Sequence, residues 1–201
     1  MRKPVKIVVA GVGGQGVVYL TELLVETALL AGIPVATSEI HGLSQRGGSV
    51  SSSLTFGEGA NGFVEKGGAD FLLGLEAMEA MRCLSFLHTD SIAVIDNNRI
   101  PPYAVNAGKD GYPDLEKLLA YLQKNIRQLI FIPEMPQEVD PIMRNIYVLG
   151  CAARSAGFPL SFGQIRQTIK NTAKAGFAEK SLKALELGSN YFAESVSETK
   201  V

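Results

Sequence analysis

A short apolar run that breaks into glycines, VKIVVAGVGGQG over Val5–Gly16, constrains this chain more than any other stretch. Apolar residues at helical spacing follow from Val17, so the stretch has the sequence form of a strand, a tight turn and a helix. Gly11, Gly13 and Gly16 fall in the G-x-G-x-x-G spacing, in which glycine permits positive φ and close approach of the backbone to a ligand. Backbone N–H groups at the helix start would favour phosphate or carboxylate. By spacing alone, these glycines serve either ligand binding or close packing of helix on strand.

The segments after the glycines alternate between helical and strand patterns. A helix over Val17–Ala31 and a strand over Ile33–Ser38 complete a βαβ unit within ~35 residues. Ser49–Phe56 alternates like a half-buried strand that returns directly, which predicts a mixed sheet. Further strands are predicted over Asp70–Leu75, Ser91–Asp96, Tyr103–Asn106 and Gln128–Ile132, and further helices over Glu76–Phe86, Pro113–Asn125, Pro141–Ala156, Phe162–Thr172 and Phe177–Val196. We therefore predict an α/β fold, a three-layer, Rossmann-like, open mixed sheet with C-terminal helices, in a single domain over residues 1–201.

Composition narrows the class of protein. Apolar residues make up 46% of the 201 residues, charged residues 19%, and the net charge is -1, so nothing indicates nucleic acid or an anionic membrane as a partner. The apolar runs are too short to span a bilayer, and no signal-peptide pattern follows Arg2 and Lys3. We expect a soluble cytoplasmic protein. Cys83 and Cys151 sit in helical patterns and are expected to be buried thiols, with no metal site and no cysteine-ligated cluster on this chain.

A second glycine-containing loop, IHGLSQRGGSV over Ile40–Val50, follows the second predicted strand. Ser44 and Gln45 can donate hydrogen bonds, and Arg46 offers a planar fork for phosphate or carboxylate. Gly47 and Gly48 let the backbone turn beside them. The alternative is a surface turn with a solvated arginine.

Three other polar features have two interpretations each. Glu39 could hold the ribose of a dinucleotide, because it comes directly after the second predicted strand at a suitable spacing from Gly16. His41 is more often a hydrogen-bonded structural residue than a ligand or base. Asp96, Asn97 and Asn98 lie at the carboxyl end of the fifth predicted strand, where they either line a site or, more simply, form an Asx-rich turn.

Taken as a pair and in this order, GVGGQG at 11–16 and HGLSQRGGSV at 41–50 resemble the gamma-type subunits of the 2-oxoacid:ferredoxin oxidoreductases. Within that family the resemblance is strongest to the small subunit of the indolepyruvate enzymes. It extends over most of the chain and includes Arg144, Asn145 and the Leu149-Gly150 step.

The resemblance implies oxidative decarboxylation of a 2-oxo acid, here an aryl pyruvate, with coenzyme A accepting the acyl group and ferredoxin accepting electrons. Thiamine diphosphate, magnesium and the 4Fe-4S clusters are then expected on a larger partner subunit, and this chain is expected to be inactive alone. It would pack against that subunit and help to form the coenzyme A entrance, or form a homodimer when alone. The alternatives are a free-standing Rossmann-type nucleotide- or NAD-binding protein and a non-catalytic assembly module.

The resemblance assigns cofactor-binding roles to two groups of residues and identifies no catalytic residue. They are Gly11, Gly13, Gly14, Gln15, Gly16, Ser44, Gln45, Arg46, Gly47 and Gly48. We predict that Arg46 and the first loop serve one anion at one edge of the sheet, either the phosphates of coenzyme A or a group of the partner. We also predict an exposed apolar patch around 99–112, with Tyr103, Tyr112 and Phe158, as a docking surface.

Overall fold

The structure is a computed structural model that describes residues 3–42, 48–101, 103–106, 108, 111–174 and 176–198. Its strands are β1 (Val5–Val12), β2 (Val35–His41), β3 (Ser49–Phe56), β4 (Ala69–Gly74), β5 (Leu87–Asp96) and β6 (Gln128–Ile132). Its helices are α1 (Val17–Leu30), α2 (Ala77–Arg82), α3 (Tyr103–Asn106), α4 (Leu115–Asn125), α5 (Arg144–Ala152), α6 (Phe162–Thr172) and α7 (Phe177–Glu198).

The strands form one mixed, six-stranded sheet in the order β2-β3-β1-β4-β5-β6. The strands β1, β4, β5 and β6 are parallel, whereas β3 is antiparallel to both β1 and β2. The predicted α/β fold with a mixed sheet is therefore confirmed. The glycine turn after β1 lies at the carboxyl edge of the parallel strands, where open α/β sheets bind ligands.

The βαβ unit predicted from the sequence takes β2 as the neighbour of β1. This is wrong, because β3 is inserted between the two strands. The inserted strand buries Val50, Leu54 and Phe56, whereas β2 is exposed from Thr37 onward. Strand β3 has no charged residue, whereas β2 carries Glu39 and His41, so the uncharged strand takes the interior position and the charged strand takes the edge. Since β2 and β1 both run antiparallel to β3, their carboxyl ends still meet at one edge of the sheet.

Two apolar layers cover the sheet. Helices α1, α5, α6 and α7 pack on one face around Leu20, Leu24 and Ile146. Helices α2 and α4 pack on the other face, where Ala80 and Leu122 are fully buried. The three-layer arrangement follows from strands with apolar side chains on both faces.

Several predicted boundaries shift. Helix α2 ends at Arg82 and is followed by a 3₁₀ turn at Leu84–Phe86, and the first late helix begins with a 3₁₀ turn at Pro141–Met143. Tyr103–Asn106 is a short helix, so its prediction as a strand is wrong. The Asn106 amide donates to the Pro101 carbonyl at 2.9 Å, which closes a turn, and β6 already occupies the position beside β5.

The cysteines and Phe158 lie inward, and the side chain of Tyr103 lies outside the described residues. Cys83 and Cys151 are free, buried thiols, and burial raises the pKa of Cys83 to about 11. Phe158 packs edge-on against Phe71 with ring centroids 5.1 Å apart, so it is part of the core boundary and does not form a docking patch. Within the described ranges, no helix has the length and apolar character needed to cross a membrane.

Candidate functional site

The turn between β1 and α1 is held by the side chain of Gln15. Its Oε1 accepts a hydrogen bond from the Val12 N–H at 2.7 Å, and its Nε2 donates to the Leu75 carbonyl at 2.8 Å. The Gln15 N–H also donates to the Val12 carbonyl at 3.0 Å. One amide thus closes the turn on itself and joins it to the end of β4. Gln15 therefore shapes the loop, a role that the glycine spacing does not reveal.

The glycines of this loop serve different purposes. Gly14 has φ 99° and Gly16, the N-cap of α1, has φ 78°, conformations that glycine adopts without a steric penalty. Gly11 lies in the strand, where a Cβ would lie 2.9 Å from the Gln15 Oε1 and 3.0 Å from the Val17 Cγ2. The predicted roles in turning and in close packing are thus divided among neighbouring glycines.

The second loop leaves and re-enters the sheet beside the first. Ser44, Gln45, Arg46 and Gly47 lie outside the described residues, but both flanks are described. The Gly42 N–H donates to the Ser49 carbonyl at 2.7 Å, which closes the base of the loop. The Gly13 N–H donates to the Gly48 carbonyl at 2.9 Å, so a backbone hydrogen bond joins the two glycine loops.

Two buried carboxylates support the same edge of the sheet. The Ser49 hydroxyl donates to Glu79 Oε2 at 2.6 Å, which connects the end of the second loop to α2. Glu76 accepts from the Glu79 N–H at 2.8 Å and from the hydroxyl of Tyr112. Burial and the Glu76 carboxylate raise the pKa of Tyr112 above its ordinary value. Tyr112 therefore points inward to Glu76, which corrects its assignment to an exposed patch.

The start of α5 is attached to the end of β5 by an ion pair. Arg144 donates from Nε to Asp96 Oδ2 at 2.9 Å and from Nη2 to Oδ1 at 2.6 Å. Asp96 is 1% exposed, and its burial raises the pKa of the carboxyl while Arg144 opposes that rise. The carboxylate also accepts a backbone hydrogen bond from Asn98, two residues further on, as in an Asx turn, so Asp96 both forms the predicted turn and anchors a helix. Asn97 donates to the Pro133 carbonyl at 3.1 Å.

The next residue of α5 reaches the glycine loop. Asn145 donates from Nδ2 to the Gly16 carbonyl at 3.2 Å, and its Oδ1 accepts from the Ile146 N–H at 2.9 Å. It is 4% exposed. Sequence reasoning gives it no role, since 129 residues separate it from Gly16. Its place in the family resemblance is the only signal that could have marked it.

A cleft of about 300 Å³ opens beside the glycine loop. Gly14 and Gly16 form one wall, and Tyr19, Ile142 and Phe177 stand around them at 42%, 63% and 49% exposure. Helix α1 has neither a side-chain cap nor an acidic residue in its first turn, so its positive end faces this region without an internal counter-charge. The arrangement suits a ligand with an anionic group and an adjacent apolar or aromatic part.

The residues considered for other chemistries lie apart from this cleft. Glu39 is on the edge strand β2, with β3 between it and β1, and its Oε2 lies 3.2 Å from the His41 Nε2. The position beside the glycine turn that a ribose-binding acid would need is thus occupied by β3. Among the described residues, no group of three or more His, Cys, Asp or Glu side chains could hold a metal ion.

Comparison with known proteins places this architecture in a family. A sequence model described as pyruvate ferredoxin/flavodoxin oxidoreductase matches residues 6–191. Indolepyruvate oxidoreductase subunit IorB of Archaeoglobus fulgidus is 32% identical over 187 residues, covering 92% of this chain and 93% of that protein. The protein of the same name from Thermococcus kodakarensis is 34% identical over 191 residues, covering 92% of this chain and 95% of its own.

Solved structures share the fold. The gamma subunit of a keto/oxoacid ferredoxin oxidoreductase from Geobacter sulfurreducens superposes with a TM-score of 0.66 at 18% identity, covering 94% of this chain and 99% of that one. A 2-oxoglutarate:ferredoxin oxidoreductase from Magnetococcus marinus, solved with 2-oxoglutarate, coenzyme A and succinyl-CoA bound, gives 0.67 at 16% identity. The match covers 96% of this chain but 32% of that larger chain.

Proposed function

The chain belongs to the pyruvate ferredoxin/flavodoxin oxidoreductase family, and from this premise we propose that it is the small subunit of an indolepyruvate-type 2-oxoacid:ferredoxin oxidoreductase. The observation that carries the proposal is the match to small IorB subunits over almost their whole length. The reaction is oxidative decarboxylation of an aryl pyruvate to its acyl-CoA, with ferredoxin as the electron acceptor.

The chain acts with a larger partner subunit. Thiamine diphosphate, magnesium and 4Fe-4S clusters belong to that partner, and ferredoxin receives the electrons from it. The Magnetococcus marinus structure supports this division, because the fold of this chain accounts for about a third of a single larger chain there. A free-standing NAD-binding role is disfavoured, because β3 separates Glu39 from the glycine turn.

The contribution of this chain is a binding site for the phosphates of coenzyme A at the two glycine loops. Gly13, Gly14 and Gly16 bring the backbone to the surface, and the first turn of α1 supplies N–H groups and a positive end. Arg46 adds a guanidinium from the second loop, whose end is bonded to the first through Gly48. These groups bind and orient coenzyme A so that its thiol reaches the partner's active site.

Steady-state assay of the reconstituted two-subunit enzyme with varied coenzyme A tests the site. Removing one charge-assisted contact costs about 1.5–3 kcal/mol, so Arg46→Ala should raise the KM for coenzyme A by roughly ten- to a hundredfold. Gly13→Val should raise it further, because a side chain blocks the approach of the backbone. Arg166→Ala is the matched control, since Arg166 is exposed on α6 away from the cleft.

Co-elution of the two subunits separates the two possible ligands of the loops. If Arg46→Ala leaves co-elution intact and raises the KM, the loops bind coenzyme A. A variant that no longer co-elutes would instead indicate that the loops bind a group of the partner. An unchanged KM and kcat with intact co-elution would leave Arg46 as a solvated turn residue.

A further inference from the structure

We propose that Asn145 is a positioning residue that fixes the Gly16–Val17 peptide at the start of α1, beside the cleft in which the ligand of the glycine loop would lie. The inference rests on the proposed function, because it takes the loop to bind an anionic group of coenzyme A. Asn145 belongs to α5, far from the loop in sequence, and it lines the cleft beside Gly14 and Gly16.

The Gly16 carbonyl accepts two hydrogen bonds. One comes from the Leu20 N–H at 2.9 Å, the first bond of α1, and the other from the Asn145 Nδ2 at 3.2 Å. A carbonyl with two donors has its peptide plane fixed. Because a trans peptide is planar, its C=O and N–H point in opposite directions. Holding the Gly16 carbonyl toward the body of the helix therefore holds the Val17 N–H outward, at the positive end of α1.

The position of Asn145 is fixed by a hydrogen bond of its own side chain and by the ion pair of its neighbour. Its Oδ1 accepts the Ile146 N–H at 2.9 Å, and its neighbour Arg144 makes the bidentate pair with buried Asp96. The first turn of α5 is thus attached to the end of β5. This attachment fixes the position of the Asn145 side-chain amide relative to the glycine loop.

Contact between Asn145 and the loop is also tight. A Cβ added to Gly16 would overlap the Asn145 Nδ2. The absence of a side chain at Gly16 therefore leaves room for the amide, and the left-handed conformation of Gly16, with φ 78° and ψ 32°, is one that glycine adopts readily. Burying a side-chain amide costs free energy unless its hydrogen bonds are made. If position 145 served packing alone, an apolar side chain would fill the space without that cost.

Asn145→Asp is the most specific test, because it keeps the size and the acceptor for Ile146 but replaces the donor facing Gly16 with an oxygen. In the reconstituted enzyme we expect the KM for coenzyme A to rise about tenfold, with kcat and subunit co-elution retained. Asn125→Asp is the matched control, since Asn125 also donates to a backbone carbonyl, that of Tyr121 at 2.7 Å, but is exposed on α4 and does not line the cleft.

Asn145→Ala provides a second variant in case the buried carboxylate prevents folding, and it should raise the same KM with kcat retained. A lowered Tm with an unchanged KM for coenzyme A would overturn the inference and leave Asn145 with a purely structural role. If Arg46→Ala and Gly13→Val raise the KM but neither Asn145 variant does, only this inference fails. If none of the four variants changes the KM, the coenzyme A site of the proposed function fails with it.

Discussion

Glycine appears in two regions of this molecule for opposite reasons. In the loop after β1, Gly14 and Gly16 have positive φ, and a Cβ on Gly14 would meet nothing within 4 Å. Where α5 crosses α7, Gly150 and Gly188 lie inside helices, and a Cβ on either would overlap a backbone carbonyl, that of Leu185 or Tyr147. The loop uses the backbone freedom of glycine, and the crossing uses its lack of a side chain.

The two regions are connected. Helix α5 begins with Arg144, which pairs with Asp96, and with Asn145, which donates to Gly16 of the glycine loop. Gly150, further along the same helix, packs against α7. The close crossing thus sets where α5 lies, and α5 sets where Asn145 meets Gly16. Packing far from the cleft therefore contributes to the geometry of the loop.

The largest effect is expected at the helix crossing. Gly188→Ala places a methyl group against the Tyr147 carbonyl, so α5 and α7 must separate. Overpacking of this kind costs up to ~3 kcal/mol, against a gain of ~1 kcal/mol in helix propensity. A net loss of about 2 kcal/mol should lower the Tm by roughly 4–8 °C in a thermal unfolding scan of the chain. An unchanged Tm would show that the two helices do not need glycine to pack.

An intermediate effect is expected in the loop. Gly14→Ala meets no steric neighbour, but alanine at φ 99° is strained by about 1–2 kcal/mol, which should lower the Tm by roughly 2–8 °C. It should also raise the KM for coenzyme A. Gly157→Ala is the matched control, because Gly157 has φ 88° and empty space around it but lies outside the cleft. A raised KM in both variants would show that strain alone, wherever it lies, weakens binding.

The smallest effect, and one of opposite sign, is expected at Gly163 in α6. A Cβ there meets nothing within 4 Å, and the residue is not at positive φ. Gly163→Ala should therefore stabilise the chain by up to about 1 kcal/mol through helix propensity, raising the Tm by no more than roughly 4 °C. A lower Tm for Gly163→Ala would show that alanine at a helical glycine destabilises this chain even without a steric overlap. The loss of stability in Gly188→Ala could then not be assigned to the helix crossing.

The sequence predicts the elements whose periodicity is unambiguous. The bounds of β3, β6 and α6 agree with the structure, and α1 begins where the glycines end. The mixed sheet also follows from a strand that returns without a crossover. Local pattern does not fix strand order, however, because β2 and β3 have similar apolar content, and the position beside β1 depends on how the strands pair in the folded sheet.

The candidate site, too, was predictable from the sequence only in part. From sequence alone, the glycine loop could be recognised as a turn beneath a helix N-terminus, because glycine spacing and the following apolar period are local properties. Only the tertiary structure decided that Gln15 closes that turn on Leu75, that Gly13 is bonded to Gly48, and that Asn145 reaches Gly16. These contacts join segments up to 129 residues apart, and such contacts depend on how helices and strands pack. The spacing of residues along the chain therefore determined the turn, and packing between distant elements decided its surroundings.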